Sequence, residues 1–392
     1  MAIAPLLSSN LLAVLPQQWQ MLSFLAFLPI LLLSFLVLTR SRHGNSKGVR
    51  LPPGPARLPI LGNLHQLGTL PHRSLRDLAR QHGPVMLLRL GTVPAVVVSS
   101  AEAAREVMKV HDTDCCSRPA SPGPRLLSYD LKDVAFAPYD EYWREMRKLF
   151  IVELLSMRRV KAAWYAREQQ VDKLLEDLQR MGPKPVALND HIFGLADGIV
   201  GTVAFGNIYG TEQFAQKKHF QHVLDEAMDM LVSFSAEDFF PNVTGRFVDR
   251  VTGLVNRRER IFKELDAFYE MVIDQHMDPE RPKAENGGDL VDVLINLWKE
   301  HQGTLQFTRD HVKAMIMNTF IGGIDTSSVT MLWAMSELIR KPQVLKKAQE
   351  EGMKPEDVSM DEAGGLTFHR KTPLVLVPTR YTRSESSNNG AC

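Results

Sequence analysis

TRDHVKAMIMNTFIGGIDTSSVTMLWAMSELIR, residues 308–340, carries a helical pattern from end to end. Thr308 suits the cap position, Asp310 falls in the first turn and Pro342 supplies the stop. The result is a helix of about 32 residues, ~48 Å long at ~1.5 Å per residue. Met315, Ile316, Phe320, Ile321, Ile324, Met331, Leu332 and Leu338 are spread around its axis, so it has to run through a core with partners on several sides. In its middle sits GGIDTS, 322–327. Two helical glycines cost ~2 kcal/mol against alanine, and an acid stands among apolar neighbours. Two readings compete. Either Gly322 and Gly323 mark a packing kink, with Thr326 bonded back to a carbonyl one turn earlier, or they let the helix open to a flat cofactor. On the second reading Asp325 recruits protons and the Thr326 hydroxyl, able to donate and accept, passes them to bound oxygen.

Upstream, EYWREMRK at 141–148 puts Trp143 and Arg147 on one helical face at i and i+4. An indole N–H beside a guanidinium fork suits a buried carboxylate; a cation–π contact is the simpler alternative. Helical spacing also covers 101–111, 141–155, 158–181, 214–234, 246–276 and 289–301, so the body is mainly α. Short β-branched runs at 58–64 and 85–99, split by Gly91 and Pro94, predict a small sheet near the start. The polar stretch 277–288 reads as a surface loop, and Phe239 and Phe240 close one helix facing lipid, a substrate entrance or the core.

At the other end, MLSFLAFLPILLLSFLVL, 21–38, is an uncharged run of about the ~20 residues that cross a bilayer. No charge precedes Arg40, whereas Arg40, Arg42, Lys47 and Arg50 follow, which predicts a single-pass anchor with the body in the cytosol. LPPGP at 51–55 is a stiff spacer. The expected organisation is an anchor at 1–40, a basic and proline-rich linker at 41–57 and a body at 58–351. Rejoined strands at 352–383 and a disordered tail at 384–392 complete it. A net charge of +1 argues against nucleic acid as a partner. Three cysteines in 392 residues build no disulfide framework, which fits a reducing compartment and makes the sequon at Asn242 a chance match.

A proline-rich hinge after an anchor, the Trp143 and Arg147 pair, and GGIDTS in a long buried helix, in that order, resemble a plant microsomal cytochrome P450. HDTDCCSRPASPGPRLLSYDL, TVAFGNIYG, SFSAEDFFPN and NGGDLVDVLINLWKEH resemble its aldoxime-metabolising members. The resemblance covers essentially the whole chain. It implies a mainly α fold with small β-sheets, haem b (heme), NADPH-cytochrome P450 reductase as partner, and the endoplasmic reticulum membrane. It also implies oxygen-dependent conversion of a small-molecule aldoxime to a hydroxynitrile. By family position Trp143, Arg147, Gly322 and Gly323 would hold the cofactor, the first two at its propionates. Asp325 and Thr326 would be catalytic, and Ser121 and Leu127, at the ends of a loop, would contact substrate with Asn318, Ile321 and Gly322.

The chain also departs from that pattern. The family's iron is held by a cysteine in F-x-x-G-x-R-x-C-x-G, whose thiolate drives O–O cleavage. Cys115, Cys116 and Cys392 all lack that context. The E-x-x-R matches beginning at Glu102, Glu141 and Glu337 lie too early or still within the long helix. His219, His222 and His311 read as ordinary helix residues, so no metal ligand is assigned. GMKPEDVSMDEAGGLTFHRKTPLVLVP resembles the family's final strands, which locates a missing internal segment between Glu351 and Gly352. Two expectations follow: a haem-thiolate monooxygenase by family, or a catalytically silent membrane protein that retains no haem and at most binds the reductase.

Overall fold

Gly91, at φ 62°, turns the apolar run 85–98 back on itself. The resulting hairpin pairs β1 (Val85–Leu90) with β2 (Val93–Val98), with Val85 opposite Val98 and Leu90 opposite Val93. This computed structural model describes residues 51–206, 209, 217–281, 288–300, 306–344, 362–363, 369–370 and 374–376. The expected anchor at 21–38, the start of the linker, the junction between Glu351 and Gly352 and the tail lie outside the described residues. Among the described residues no helix is long and apolar enough to cross a membrane.

The proline-rich segment is more than a spacer. Pro53 O accepts from Leu87 N–H at 2.9 Å, and the Asn63 amide donates to Ala56 O at 3.2 Å, so 53–56 lies against β1. The strand expected at 58–64 is reduced to bridges between Leu58 and Gly62 and between Gly62 and Leu90.

Fifteen described helices follow or flank the hairpin: α1 (Pro71–His82), α2 (Ala101–Arg105), α3 (Asp112–Cys115), α4 (Pro122–Leu127), α5 (Glu141–Leu149), α6 (Met157–Ala162), α7 (Trp164–Met181), α8 (Leu188–Phe205), α9 (Lys217–Leu231), α10 (Ala236–Phe239), α11 (Val243–Val251), α12 (Leu254–Met277), α13 (Leu290–Glu300), α14 (Arg309–Gly323) and α15 (Asp325–Arg340). The expected helices at 101–111 and 141–155 each finish in a π turn, 106–110 and 150–154. Gly253, at φ 79°, divides the expected 246–276 helix into α11 and α12.

The long helix is likewise two helices. α14 begins where Thr308 predicts, with Thr308 N–H donating to His311 Nδ1 at 3.0 Å. It stops at Gly323, and α15 restarts at Asp325 after Ile324 at ψ −63°. From His311 to Met317 every residue of α14 is buried. Phe320 stacks on Phe205 of α8 with centroids 5.0 Å apart, and Phe220 of α9 stacks on Phe268 of α12 at 3.9 Å, forming the middle of the core.

A second core groups Ile192, Leu332, Ile339 and Leu374. It is closed by strand β3 (Val186–Ala187) pairing antiparallel with β6 (Val375–Leu376), while β4 (Glu362–Ala363) pairs with β5 (His369–Arg370). The mainly α body with small sheets is therefore as expected, and the returning C-terminal segment is strand-forming.

Candidate functional site

A cleft of about 410 Å³ lies between the segment 116–139, α5 and the C-terminal half of α14. Its floor is Asn318, Ile321 and Gly322, successive positions on one face of α14. Val134, Ala135 and Ala137 form one wall, and Tyr139, Trp143, Arg147 and Phe150 another.

Asn318 ties floor to wall. Its Oδ1 accepts from Val134 N–H and Ala135 N–H at 3.0 and 3.1 Å, and its Nδ2 donates to Asp133 Oδ2 at 2.7 Å. Asp133, fully buried, also accepts from Phe136 N–H at 2.9 Å and Ala137 N–H at 3.2 Å. Burial raises its carboxyl above the usual range, and the hydrogen bonds from Asn318 and the backbone only partly offset that. Asn318 was expected to contact substrate; three of its hydrogen-bonding positions are already used to hold the wall.

Trp143 and Arg147 do share the cleft, but not as parallel donors. The indole N–H donates to Val134 O at 2.9 Å, and the Arg147 guanidinium lies 5.1 Å above the Trp143 ring. Through that bond Trp143 props the wall. Arg147, exposed in the cleft, has no carboxylate partner among the described residues. Arg118 stands in the same cleft and is also exposed and without such a partner. Sequence reasoning missed Arg118, since it lies in an irregular stretch where no helical spacing links it to Arg147.

The two glycines divide the roles once given to both. A Cβ at Gly322 would meet nothing within 4 Å, whereas one at Gly323 would meet Val200 Cγ2 at 2.8 Å. Gly322 opens onto the cleft, and Gly323 is a close contact with α8. The Thr326 hydroxyl donates to Gly322 O at 2.7 Å, the bond expected of the packing kink. Thr326 is exposed and Asp325 half-buried, and neither lines the cleft. Asp325 instead approaches α9, where the Asp225 carboxyl is raised by burial and then by nearby acids that include Asp325.

The 121–127 stretch expected as a substrate loop is helix α4. Leu127, 2% exposed, belongs to the core beside Phe220, and the Ser121 hydroxyl donates to Asp238. Both are removed from the cleft. Cys116 lines its rim and Cys115 is exposed outside it. Elsewhere, His276, Asp289 and Asp292 bring ligand atoms within 4.8 Å of one another, but Arg281 donates to both carboxylates and occupies an oxygen of each.

A sequence model described as Cytochrome P450 matches residues 52–357. The chain belongs to the cytochrome P450 family. It is 71% identical over 344 residues to the 4-hydroxyphenylacetaldehyde oxime monooxygenase of Sorghum bicolor, covering 86% of this chain and 65% of that one. It is 52% identical over 347 residues to the 2-methylbutanal oxime monooxygenase of Manihot esculenta, covering 88% and 66%. The chain therefore spans about two-thirds of the length of these relatives. A zebra fish cytochrome P450 solved with progesterone superposes with a TM-score of 0.54 at 22% identity, over 71% of this chain and 62% of that one, a likeness of fold.

Cytochrome P450 proteins are haem monooxygenases, and the cleft can be compared with that cofactor. Two guanidiniums without carboxylate partners among the described residues and an open face at Gly322 fit the acidic edge and flat body of a haem. Among the described residues neither cysteine lies in the family's iron-binding loop.

Proposed function

We propose that the cleft is, by family, the cofactor and substrate side of a haem-thiolate monooxygenase, whose chemistry is conversion of a small aldoxime to a hydroxynitrile with electrons from NADPH through cytochrome P450 reductase. The observation that carries this reading is the convergence of Arg118, Arg147 and Gly322 on one cleft, in a chain 71% identical to an aldoxime monooxygenase. A bound haem would supply the oxygen chemistry. Arg118 and Arg147 hold its carboxylates, Trp143 and Asn318 keep the wall at a fixed distance from α14, and Ile321 limits the space for substrate. The Thr326 hydroxyl holds its proton on the carbonyl of Gly322, a cleft residue, with Asp325 as the adjacent acid along the helix.

The body sits at the endoplasmic reticulum membrane in this reading. Support comes from the apolar run at 21–38 and from α11, where Val243, Phe247 and Val251 are 87%, 64% and 70% exposed beside Arg246 and Arg250.

A second reading is favoured by one observation: of three cysteines, Cys115 and Cys116 precede the cleft wall and Cys392 ends a polar tail. On this reading the chain as sequenced forms no iron–thiolate bond, retains no haem and is silent as a monooxygenase, acting at most as a membrane-bound interactor of the reductase. The reduced carbon monoxide difference spectrum of the purified chain separates the two. A thiolate-type Soret band would sink the second reading; a haem-free product, the expected result, denies catalysis to this chain while leaving the family chemistry of the cleft intact.

A further inference from the structure

Tyr129, Asp130 and Leu131 have φ of 54°, 65° and 64°, three successive non-glycine residues in the left-handed region. Each is disfavoured there by its own Cβ, so such a turn persists only where its surroundings hold it. It leads straight into Asp133 and the cleft wall.

We propose that the Tyr129 hydroxyl, bonded to Asp266, is the latch that holds this turn and thereby positions the wall of the cleft. The hydroxyl donates to Asp266 Oδ1 of α12 at 2.8 Å. The same carboxylate oxygen takes Lys313 Nζ of α14 at 2.6 Å, and that ammonium lies 5.4 Å from the centre of the Tyr129 ring. Lys313 is only 4% exposed and also pairs with Glu270, so its charge is bound to this pair of acids and fixes Asp266 in place. Phe262 packs against the tyrosine ring with centroids 5.1 Å apart. The tyrosine is therefore gripped by two helices that meet the cleft only through α14.

What it grips extends to the cleft. Lys132, the residue that follows the strained turn, pairs with Asp310 at 2.6 Å, and Asp133 is bound to Asn318. Val134 then gives its carbonyl to the Trp143 indole, on which Arg147 rests. Release of Tyr129 allows residues 129–131 to relax toward ordinary backbone, which carries Val134 and its indole partner with them. Tyr129 is a positioning residue, acting through Val134 and Trp143. If its ring merely filled space beside Phe262, the hydroxyl would be dispensable.

Amide hydrogen exchange on the purified full chain tests this with no haem required, so its outcome is independent of the spectrum above. Tyr129→Phe is expected to speed exchange at Val134, Ala135, Phe136 and Ala137 about tenfold, the effect of losing one hydrogen bond to a charged group. Amides of α8 should stay within about twofold, as expected for sites that share no partner with the turn. Asp266→Ala should do the same, and the double variant should go no further than either single one. Asp266→Asn, which keeps an acceptor oxygen, should restore the protected wall. Unchanged exchange in Tyr129→Phe, an equal rise over α8, loss of the folded state, or additive effects in the double variant would each overturn the proposal.

Discussion

A Cβ added at Gly323 would meet Val200 Cγ2 at 2.8 Å, and the same atom at Gly322 would stand in open space. Gly323→Ala is therefore expected to destabilise the chain by about 1–3 kcal/mol through overpacking, with Val200→Ala relieving it. Gly322→Ala should be neutral or stabilise by up to about 1 kcal/mol, the helix propensity difference. Urea denaturation of the three variants checks both. His311 has its own signature. Burial first, then the Lys132 charge, lowers its ring from 6.5 to about 4. As pH falls from 6.5 toward about 4 the unfolded chain takes up a proton that the folded chain refuses. The stability owed to the neutral ring is complete above that window and lost through it. His311→Gln keeps an acceptor for Thr308 N–H without titrating, so its melting midpoint should fall less between pH 6.5 and 4 than that of the wild type. Asp133, raised by burial, pulls stability the opposite way, and the difference between the two proteins isolates the histidine.

Between elements, the clamp of Asn318 on the 133–137 segment is the joint most exposed to single changes. Asn318→Ala leaves Val134 N–H, Ala135 N–H and the buried Asp133 each short of a partner, which is expected to cost about 1–3 kcal/mol and to raise exchange in the wall. Its effect should be read by urea denaturation together with exchange at Val134 and Ala135. This joint was invisible in the sequence, because Asp133 and Asn318 are 185 residues apart and share no period. Features set by local chemistry were legible: the start of α14 at Thr308, the stop before Pro342 and the turn at Gly91. The break at Ile324 was not, since apolar spacing runs through it unchanged and only the backbone changes. Helix α8 escaped notice for a physical reason. Its glycines lower helix propensity, yet a Cβ at Gly198 would meet Gln170 Oε1 at 2.2 Å and one at Gly201 the Tyr209 ring at 2.0 Å. At Gly201 tertiary packing demanded glycine where local preference argued against a helix. At the candidate site, residue types were readable and their duties were not. Trp143 and Asn318 were found, but what they bind is decided by a wall that only folding brings near.

For the molecule as a whole, the family match ends at residue 357, close to the junction between Glu351 and Gly352. Inserting there a segment that carries the family's F-x-x-G-x-R-x-C-x-G loop is expected to give a haem-loaded protein with a thiolate-type carbon monoxide band. The uninserted chain should give none. A restored chain that still bound no haem would show that the cleft itself is unable to hold it. Strand β6 adds a constraint in time. Val186 pairs with Leu376, about 190 residues further along, and Leu188 N–H donates to Leu374 O. At ~5–20 residues per second of synthesis, β3 waits roughly 10–40 s on the ribosome for its partner. During that wait its backbone is an open edge that any passing strand can occupy, and the second core of Ile192, Leu332 and Ile339 cannot close. The yield of folded chain should therefore depend on how quickly the last residues are made and on what shields β3 until they arrive.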